Sequence, residues 1–104
     1  MSTYNYHMKK ISTSVNNAFA ETGKNLKTWR VLYSLKASQV AERAGISLGT
    51  LSKIEKGDPS VSVAAFLEVV RSLGLLDKFT ESLDPLNSDL GRARINENMP
   101  KRIR

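Results

Sequence analysis

The segment 37–56 restricts the fold of this chain more than any other part of the sequence. Two helices that cross at a steep angle through a short turn need a small side chain where they approach each other and a turn residue that tolerates a positive φ. Ala41 and Gly45 occupy these two places. The second helix must also turn apolar residues back toward the first, and Leu51 and Ile54 have the required i, i+3 spacing. The segment therefore predicts two short helices joined by a tight turn.

The residues between these two helices indicate where each helix ends. Gly45 is a stop signal, and Ser47 is a typical N-cap residue. The first helix is therefore predicted at about 37–44 and the second at about 48–56. Ile46, which follows the glycine, is predicted to enter the core.

The second helix is predicted to expose a face that is polar at its start and cationic toward its end. This face consists of Leu48, Gly49, Ser52, Lys53 and Lys56, with Thr50 near its edge. A helix of this kind can enter the major groove of DNA, with its first residues against base edges and its lysines near phosphates. The alternative is an ordinary helical hairpin whose polar face is only solvated.

Apolar periodicity predicts three further helices and therefore an all-α fold of five helices. The spacing of Leu26, Trp29 and Tyr33 predicts a core helix from 23 or 24 to 35, with Trp29 in the core. Gly23 is expected to break or fray the weaker helical pattern before it. The strongest amphipathic stripe lies between about 61 and 73, and a last helix is predicted at about 76–83.

The chain is expected to contain one helical domain with tails, since 104 residues are too few for two full cores. Residues 1–22 are predicted to be a partly helical leader that contains Tyr4, Tyr6 and His7. Residues 23–84 are predicted to form the domain. Residues 85–104 lack a periodic core and are predicted to be a flexible, basic tail that is disordered in isolation.

Positive charge is concentrated in two parts of the chain, whose net charge is +6. Residues 1–57 contain nine basic and three acidic side chains, residues 58–90 contain two and six, and residues 91–104 contain five and one. A basic front, an acidic back and a basic tail favour a polyanionic partner. A chance distribution of solubilising charge is the alternative.

Residue composition argues against catalysis and against a metal site. The chain has no cysteine and a single histidine, His7, so thiolate zinc sites, cysteine nucleophiles and histidine-based catalytic pairs are excluded. No paired acid–base constellation and no phosphate-binding glycine loop is visible. We therefore expect a protein that is not an enzyme and that needs no cofactor.

No membrane or export signal is visible in the sequence. The residues after Lys9 and Lys10 are too polar for a signal peptide, and no apolar run approaches the roughly 18 residues of a membrane span. We expect a cytoplasmic protein without membrane contact.

Three parts of the sequence together resemble the lambda-repressor-like family, also called the Cro/repressor or XRE-type helix-turn-helix family. They are VAERAGIS at 40–47, TLSKIEKG at 50–57, and the later pattern of Pro59-Ser60, Leu67 and Leu73-Gly74. The resemblance covers about 25–76 and implies a compact five-helix domain that binds double-stranded operator DNA as a homodimer. It also implies that 48–56 is the recognition helix of a bacterial, nucleoid-associated repressor.

The resemblance implies a set of DNA-contacting residues, with two departures from the family pattern. Lys36 and Ala37 replace the serine or threonine and the glutamine that often begin the second helix, so that Ser38 or Gln39 would have to substitute. Gly49 replaces a longer polar side chain, which shifts specificity toward its neighbours and DNA shape. The predicted contacts are Ser38, Gln39, Ser47, Leu48, Gly49, Thr50, Ser52, Lys53 and Lys56, with candidate phosphate contacts at Lys27, Arg30 and Lys36 and candidate tail contacts at Arg92, Arg94, Lys101, Arg102 and Arg104.

A narrower resemblance concerns the partner. The chain length, the basic tail and the sequence LGLLD at 73–77 are similar to HipB-like antitoxins, which implies autoregulation of a toxin–antitoxin operon and a HipA-like kinase toxin as partner. A stand-alone phage- or plasmid-type repressor is the alternative within the same class. A toxin-binding protein with secondary DNA binding and an RNA-binding protein are alternatives from other classes.

Overall fold

The computed structural model describes residues 10–98, which form six α-helices and one turn of 3₁₀ helix, with no β-strand among them. The helices are α1 (Thr13–Leu32), α2 (Ala37–Ala44), α3 (Leu48–Glu55), α4 (Val63–Ser72), α5 (Leu76–Ser82) and α6 (Asp89–Asn98), with the 3₁₀ turn at Pro85–Asn87. The chain divides into two units, one that ends at Leu73 and one that begins at Gly74. The all-α prediction is confirmed for the described residues, but they contain six helices rather than five.

The first helix is longer than the sequence predicts, because Gly23 does not interrupt it. Ser12 caps α1 through its hydroxyl oxygen, which accepts a hydrogen bond of 3.2 Å from the N–H of Val15. Gly23 is buried in the middle of the helix, where a Cβ would lie 2.8 Å from the carbonyl oxygen of Glu55. The missing side chain therefore lets α1 approach the carboxyl end of α3 closely, and the predicted helix start at 23 or 24 is wrong.

A second glycine completes this close approach from the other side. Gly57, just after α3, has a φ of 79°, and a Cβ there would lie 2.6 Å from the Cα of Ala20 in α1. The two helices thus meet with glycine on each side of the contact. This contact holds the buried side of α3 against α1. The opposite side of α3 stays exposed.

The core of the first unit is built from aliphatic side chains of α1 to α4. α2 packs against α3 and α4, and α1 packs against α3. The buried apolar residues are Leu26, Val40, Ala41, Ala44, Leu51, Ile54, Val69, Val70 and Leu73. Burial of a side chain such as that of Leu51 contributes about 1.5–3 kcal/mol to folding. Ala41, Leu51 and Ile54, which the sequence assigned to the crossing of the two short helices, are thus in the core. Ile46, which was also predicted to enter the core, is only partly buried.

Trp29 lies outside this core, contrary to the prediction. Its side chain is 38% exposed, and that of Tyr33 is 49% exposed. Their ring centroids lie 5.6 Å apart. α1 buries Gly23 and Leu26 and turns Arg30 toward α3, and a helix rotates by about 100° per residue, so Trp29 lies at the edge of the buried side. The aromatic pair is therefore a surface feature of α1.

The second unit contains helical structure where the sequence predicted a disordered tail. No residue of α5, the 3₁₀ turn or the described α6 is buried. Local hydrogen bonds hold the segment instead: Asp84 Oδ1 accepts from the N–H of Leu86 at 2.9 Å, and Ser88 Oγ accepts from the N–H of Gly91 at 2.9 Å. Caps of this kind form helices without the apolar period on which the prediction relied.

Candidate nucleic-acid interface

The turn between α2 and α3 ends α2 through a glycine in the left-handed conformation. Gly45 has a φ of 70°, and its N–H donates to the carbonyl oxygen of Glu42 at 3.1 Å. The N–H of Ile46 donates to the carbonyl oxygen of Ala41 at 3.0 Å. These two bonds satisfy the last carbonyls of α2 and redirect the chain within two residues. The geometry explains why a residue without a Cβ stands at this turn.

Ser47 begins α3 by capping it. Its Oγ accepts a hydrogen bond of 3.0 Å from the N–H of Thr50 and lies 3.0 Å from Thr50 Oγ1, to which it donates. Both hydroxyl groups were predicted to contact DNA. The structure shows that they also bind each other, so that they hold the first turn of α3 in place.

The outward side of α3 carries the remaining predicted contacts of this helix. Leu48, Gly49, Ser52, Lys53 and Lys56 are all exposed. On the opposite side, Leu51 and Ile54 are only 1% and 3% exposed. The structure therefore places the five residues on one accessible face, with the apolar Leu48 and Gly49 at the amino end and the two lysines toward the carboxyl end.

The side chain of Gln39 stabilises the start of α2. Gln39 turns its side chain back, and its Oε1 accepts a hydrogen bond of 2.8 Å from the N–H of Lys36. Gln39 therefore satisfies the first backbone donor of the helix, as the glutamine of a capping box does. Lys36 and Ser38 are exposed beside it. Of the two predicted substitutes for the missing glutamine, Ser38 keeps its side chain directed at solvent, while Gln39 is engaged through its carbonyl oxygen.

Arg30 is a structural residue rather than the phosphate contact that the sequence indicated. Its Nε and Nη2 donate to the carboxylate of Glu55 at 2.7 and 3.1 Å, and its Nη1 donates to the carbonyl oxygen of Leu35 at 3.1 Å. The hydrogen bonds that Arg30 donates to the Glu55 carboxylate raise the pKa of Arg30 above its usual value. All three guanidinium nitrogens are thus committed within the protein. Lys27, the other predicted contact on α1, is exposed.

Lys27 lies on a face of α1 that adjoins the end of α3. Ala20 contacts Gly57, and Lys24 and Lys27 follow Ala20 at i+4 and i+7 on the same side of the helix. Both lysines are exposed, as is Lys56 at the end of α3. Lys24 and Lys27 are thus exposed basic residues on the side of α1 that meets the end of α3.

A groove beside α3 contains two serines that are not among the predicted DNA contacts. Thr50 and Lys53 line one side, and Ser60 and Ser62 line the other. Ser62 caps α4, since its Oγ accepts from the N–H of Ala65 at 3.0 Å. The sequence contains a signal for the position of Ser62. A serine directly before an amphipathic helix predicts an N-cap, and Ser62 directly precedes α4.

The turn that leads into this groove is stabilised by Asp58. Its Oδ1 accepts a hydrogen bond of 2.9 Å from the N–H of Ser60. Hydrogen bonds from the backbone and the hydroxyl group of Ser60, and then the charge of Lys53, hold the pKa of Asp58 below its usual value of 3.8. An ionised carboxylate is therefore favoured close to Lys53.

The predicted tail contacts are only partly described. Arg92 donates to the carbonyl oxygen of Leu86 at 2.6 Å and forms an ion pair with Asp89, so it is engaged within its own unit. Arg94 is exposed on α6. Lys101, Arg102 and Arg104 lie outside the described residues, as do Tyr4, Tyr6 and His7.

Two features are absent from residues 10–98. No group of three or more histidine, aspartate or glutamate side chains in this range is placed to hold a metal ion. None of the helices formed by these residues has both the length and the apolar character to span a lipid bilayer.

Comparison with known proteins identifies the segment that contains α2 to α4. Residues 26–76 match the sequence model of the helix-turn-helix family. No curated protein and no solved structure gave a significant match to the chain. The matched range agrees with the 25–76 of the family resemblance and includes the capped, outward-facing α3. The similarity of residues 26–76 to the helix-turn-helix family covers just under half of the chain and supports the resemblance to the lambda-repressor-like family.

Proposed function

We propose that this protein is a transcriptional repressor that binds a specific operator in double-stranded DNA through α3. The helix-turn-helix domain supports the coarser function, a DNA-binding transcription regulator. The single observation that carries the finer proposal is the outward face of α3, where short and apolar residues at the amino end are followed by Lys53 and Lys56.

The dimensions of α3 fit the major groove. An α-helix with its side chains is about 10–12 Å in diameter, and the major groove is about 12 Å wide. With its amino end toward the bases, α3 brings Leu48, Gly49 and Ser52 to the base edges. Lys53 and Lys56 then lie near the phosphates, together with Lys27 on α1.

A single helix of this length reads few base pairs, so we propose that the protein acts as a homodimer on a palindromic operator. In this arrangement two copies of α3 enter successive major grooves about 34 Å apart. The bound dimer then covers the promoter and excludes RNA polymerase. Autoregulation follows where the operator lies in front of the protein's own coding sequence.

The test is a titration of the full chain with labelled duplexes from its own promoter, followed by fluorescence anisotropy. We expect binding that is at least about a thousandfold tighter than to a scrambled duplex. Between about 50 and 200 mM salt, log affinity should fall linearly with log salt, by about 0.9 per phosphate neutralised. Binding without salt dependence, or preference for single-stranded RNA of the same sequence, would contradict the proposal.

A second candidate function is favoured by the second unit. Leu83, Leu86 and Leu90 are 73%, 55% and 65% exposed, and the described helices of this unit bury no residue. Exposed apolar side chains in such numbers are typical of a surface that binds another protein. We propose that this unit binds a toxin of the HipA-like kinase type and that the protein is the antitoxin of the same operon.

Deletion of residues 87–104 tests this second function. The truncated chain should lose the complex with the co-expressed neighbouring gene product and keep its affinity for operator DNA. The absence of any complex between the full chain and the neighbouring gene product, or a neighbouring gene without kinase character, would favour a stand-alone repressor. A complex that survives the deletion would contradict the assignment of toxin binding to this segment.

A further inference from the structure

Gly49 stands in the first turn of α3 without a structural reason within the chain. Glycine destabilises a helix relative to alanine, because it loses more backbone freedom on folding. A Cβ at this position would meet only Ser47 Oγ, at 3.8 Å, which is ordinary van der Waals contact. Alanine would therefore fit and strengthen α3.

The other five glycines of the chain each have such a reason. Gly45, Gly57 and Gly74 have φ angles of 70°, 79° and 74°, which side chains disfavour. Gly23 and Gly91 lie directly against backbone carbonyl groups of Ile54 and Pro85. Gly49 alone is both unstrained and uncrowded. The described fold therefore supplies no requirement for a glycine at position 49.

The surroundings of Gly49 indicate what approaches it. Leu48, the preceding residue, is apolar and 55% exposed. The hydroxyl group of Ser47 is engaged with Thr50. At its amino end, the outward face of α3 thus exposes the backbone of Gly49 and the aliphatic side chain of Leu48. Among the groups that bases expose in the major groove, the C5-methyl group of thymine is the apolar one.

We propose that Gly49 is the point of closest approach between the protein backbone and the operator, where it and Leu48 accept the methyl group of a thymine and so select a T·A pair. The inference rests on the proposed function, since it assigns a base preference to the same helix. The absence of a side chain brings α3 closer to the groove floor, and the apolar surface around it disfavours bases without a methyl group.

The experiment begins with selection of duplexes from a random library by the full-length wild-type protein. The selected half-site should contain a thymine at a fixed position. Replacement of that thymine by deoxyuridine, which lacks only the methyl group, should weaken binding about fourfold, the equivalent of one buried methylene group. Loss of the effect in Leu48→Ala would place the methyl group against this side chain.

Gly49→Ala tests the close approach directly, and Gly49→Ser serves as a second variant of different chemistry. Both should fold with unchanged or higher thermal stability and bind the selected duplex about tenfold more weakly or worse. The matched control is Ser14→Ala, which changes the corresponding second position of α1 and should leave affinity unchanged.

The outcomes separate the inference from the proposed function. Unchanged affinity in both Gly49 variants, or equal binding of the thymine and deoxyuridine duplexes, overturns the inference and leaves the operator function intact. Failure of the wild type to select any duplex overturns both.

Discussion

The guanidinium group of Arg30 in α1 donates two hydrogen bonds, of 2.7 and 3.1 Å, to the carboxylate of Glu55, the last residue of α3. The two side chains are only 13% and 11% exposed. Because the pair joins α1 to the helix proposed to read DNA, it holds the carboxyl end of that helix beside Gly23. The orientation of α3 therefore depends on a polar contact as well as on the core.

Removal of either partner of this pair should destabilise the fold. Arg30→Ala leaves a largely covered carboxylate without its partner, and we expect a loss of about 1–3 kcal/mol in the free energy of unfolding. Urea unfolding of both single variants with Glu55→Ala and of the double variant measures the coupling. Arg30→Lys is the control, since it keeps the charge and loses the paired hydrogen bonds. Additive losses would show that the pair contributes nothing.

The same chemical change at two glycines should have opposite effects on stability. Gly23→Ala places a Cβ against the carbonyl groups of Ile54 and Glu55, so we expect a loss of about 1–3 kcal/mol from overpacking. Gly49→Ala adds a methyl group in open space and should stabilise α3 by up to about 1 kcal/mol. Thermal and urea unfolding of both variants give the comparison. Stabilisation by Gly23→Ala would mean that the two backbones are not in close contact.

The parts of the fold that could be predicted from the sequence are those determined by neighbouring residues. Gly45 and Ser47 act within one turn of the chain, because a left-handed turn residue and a cap need only the residues beside them. The exposed face of α3 could also be predicted, since Leu51 and Ile54 define its buried side by spacing alone.

The features that the sequence analysis missed depend on residues far apart in the chain. The contact of Gly23 with the end of α3 compensates for the low helix propensity of glycine, and nothing near Gly23 reveals that contact. The sequence alone cannot pair Arg30 with Glu55, since the two residues lie 25 positions apart. The apolar spacing around Trp29 predicts that this residue lies in a helix. It does not show whether another helix covers the Trp29 side chain.

Loss of one lysine on the proposed DNA face should reduce the salt dependence of binding by the amount expected for one phosphate contact. Each of Lys53→Ala and Lys56→Ala removes one phosphate contact, so the slope of log affinity against log salt should become less steep by about 0.9. Lys78→Ala, on α5 outside the matched domain, serves as the control and should leave the slope unchanged. Titrations by anisotropy at several salt concentrations measure it. An equal change in all three variants would show a general charge effect.

Replacement of Asp58 by asparagine should make the fold less dependent on pH in the acid range. Hydrogen bonds from Ser60 and then the charge of Lys53 lower the pKa of Asp58, so its ionised form stabilises the folded state above the unfolded pKa of about 4. This contribution is lost as pH falls through the lower pKa of the folded state.

Asp58→Asn retains an acceptor for the N–H of Ser60 and removes the charge. Its urea midpoint should therefore be lower than that of the wild type at about pH 7, and the difference should shrink toward about pH 3. Ser60→Ala, which removes only the hydroxyl group, should show part of the effect. A difference that stays constant or grows in acid would mean that the ionised Asp58 does not stabilise this turn.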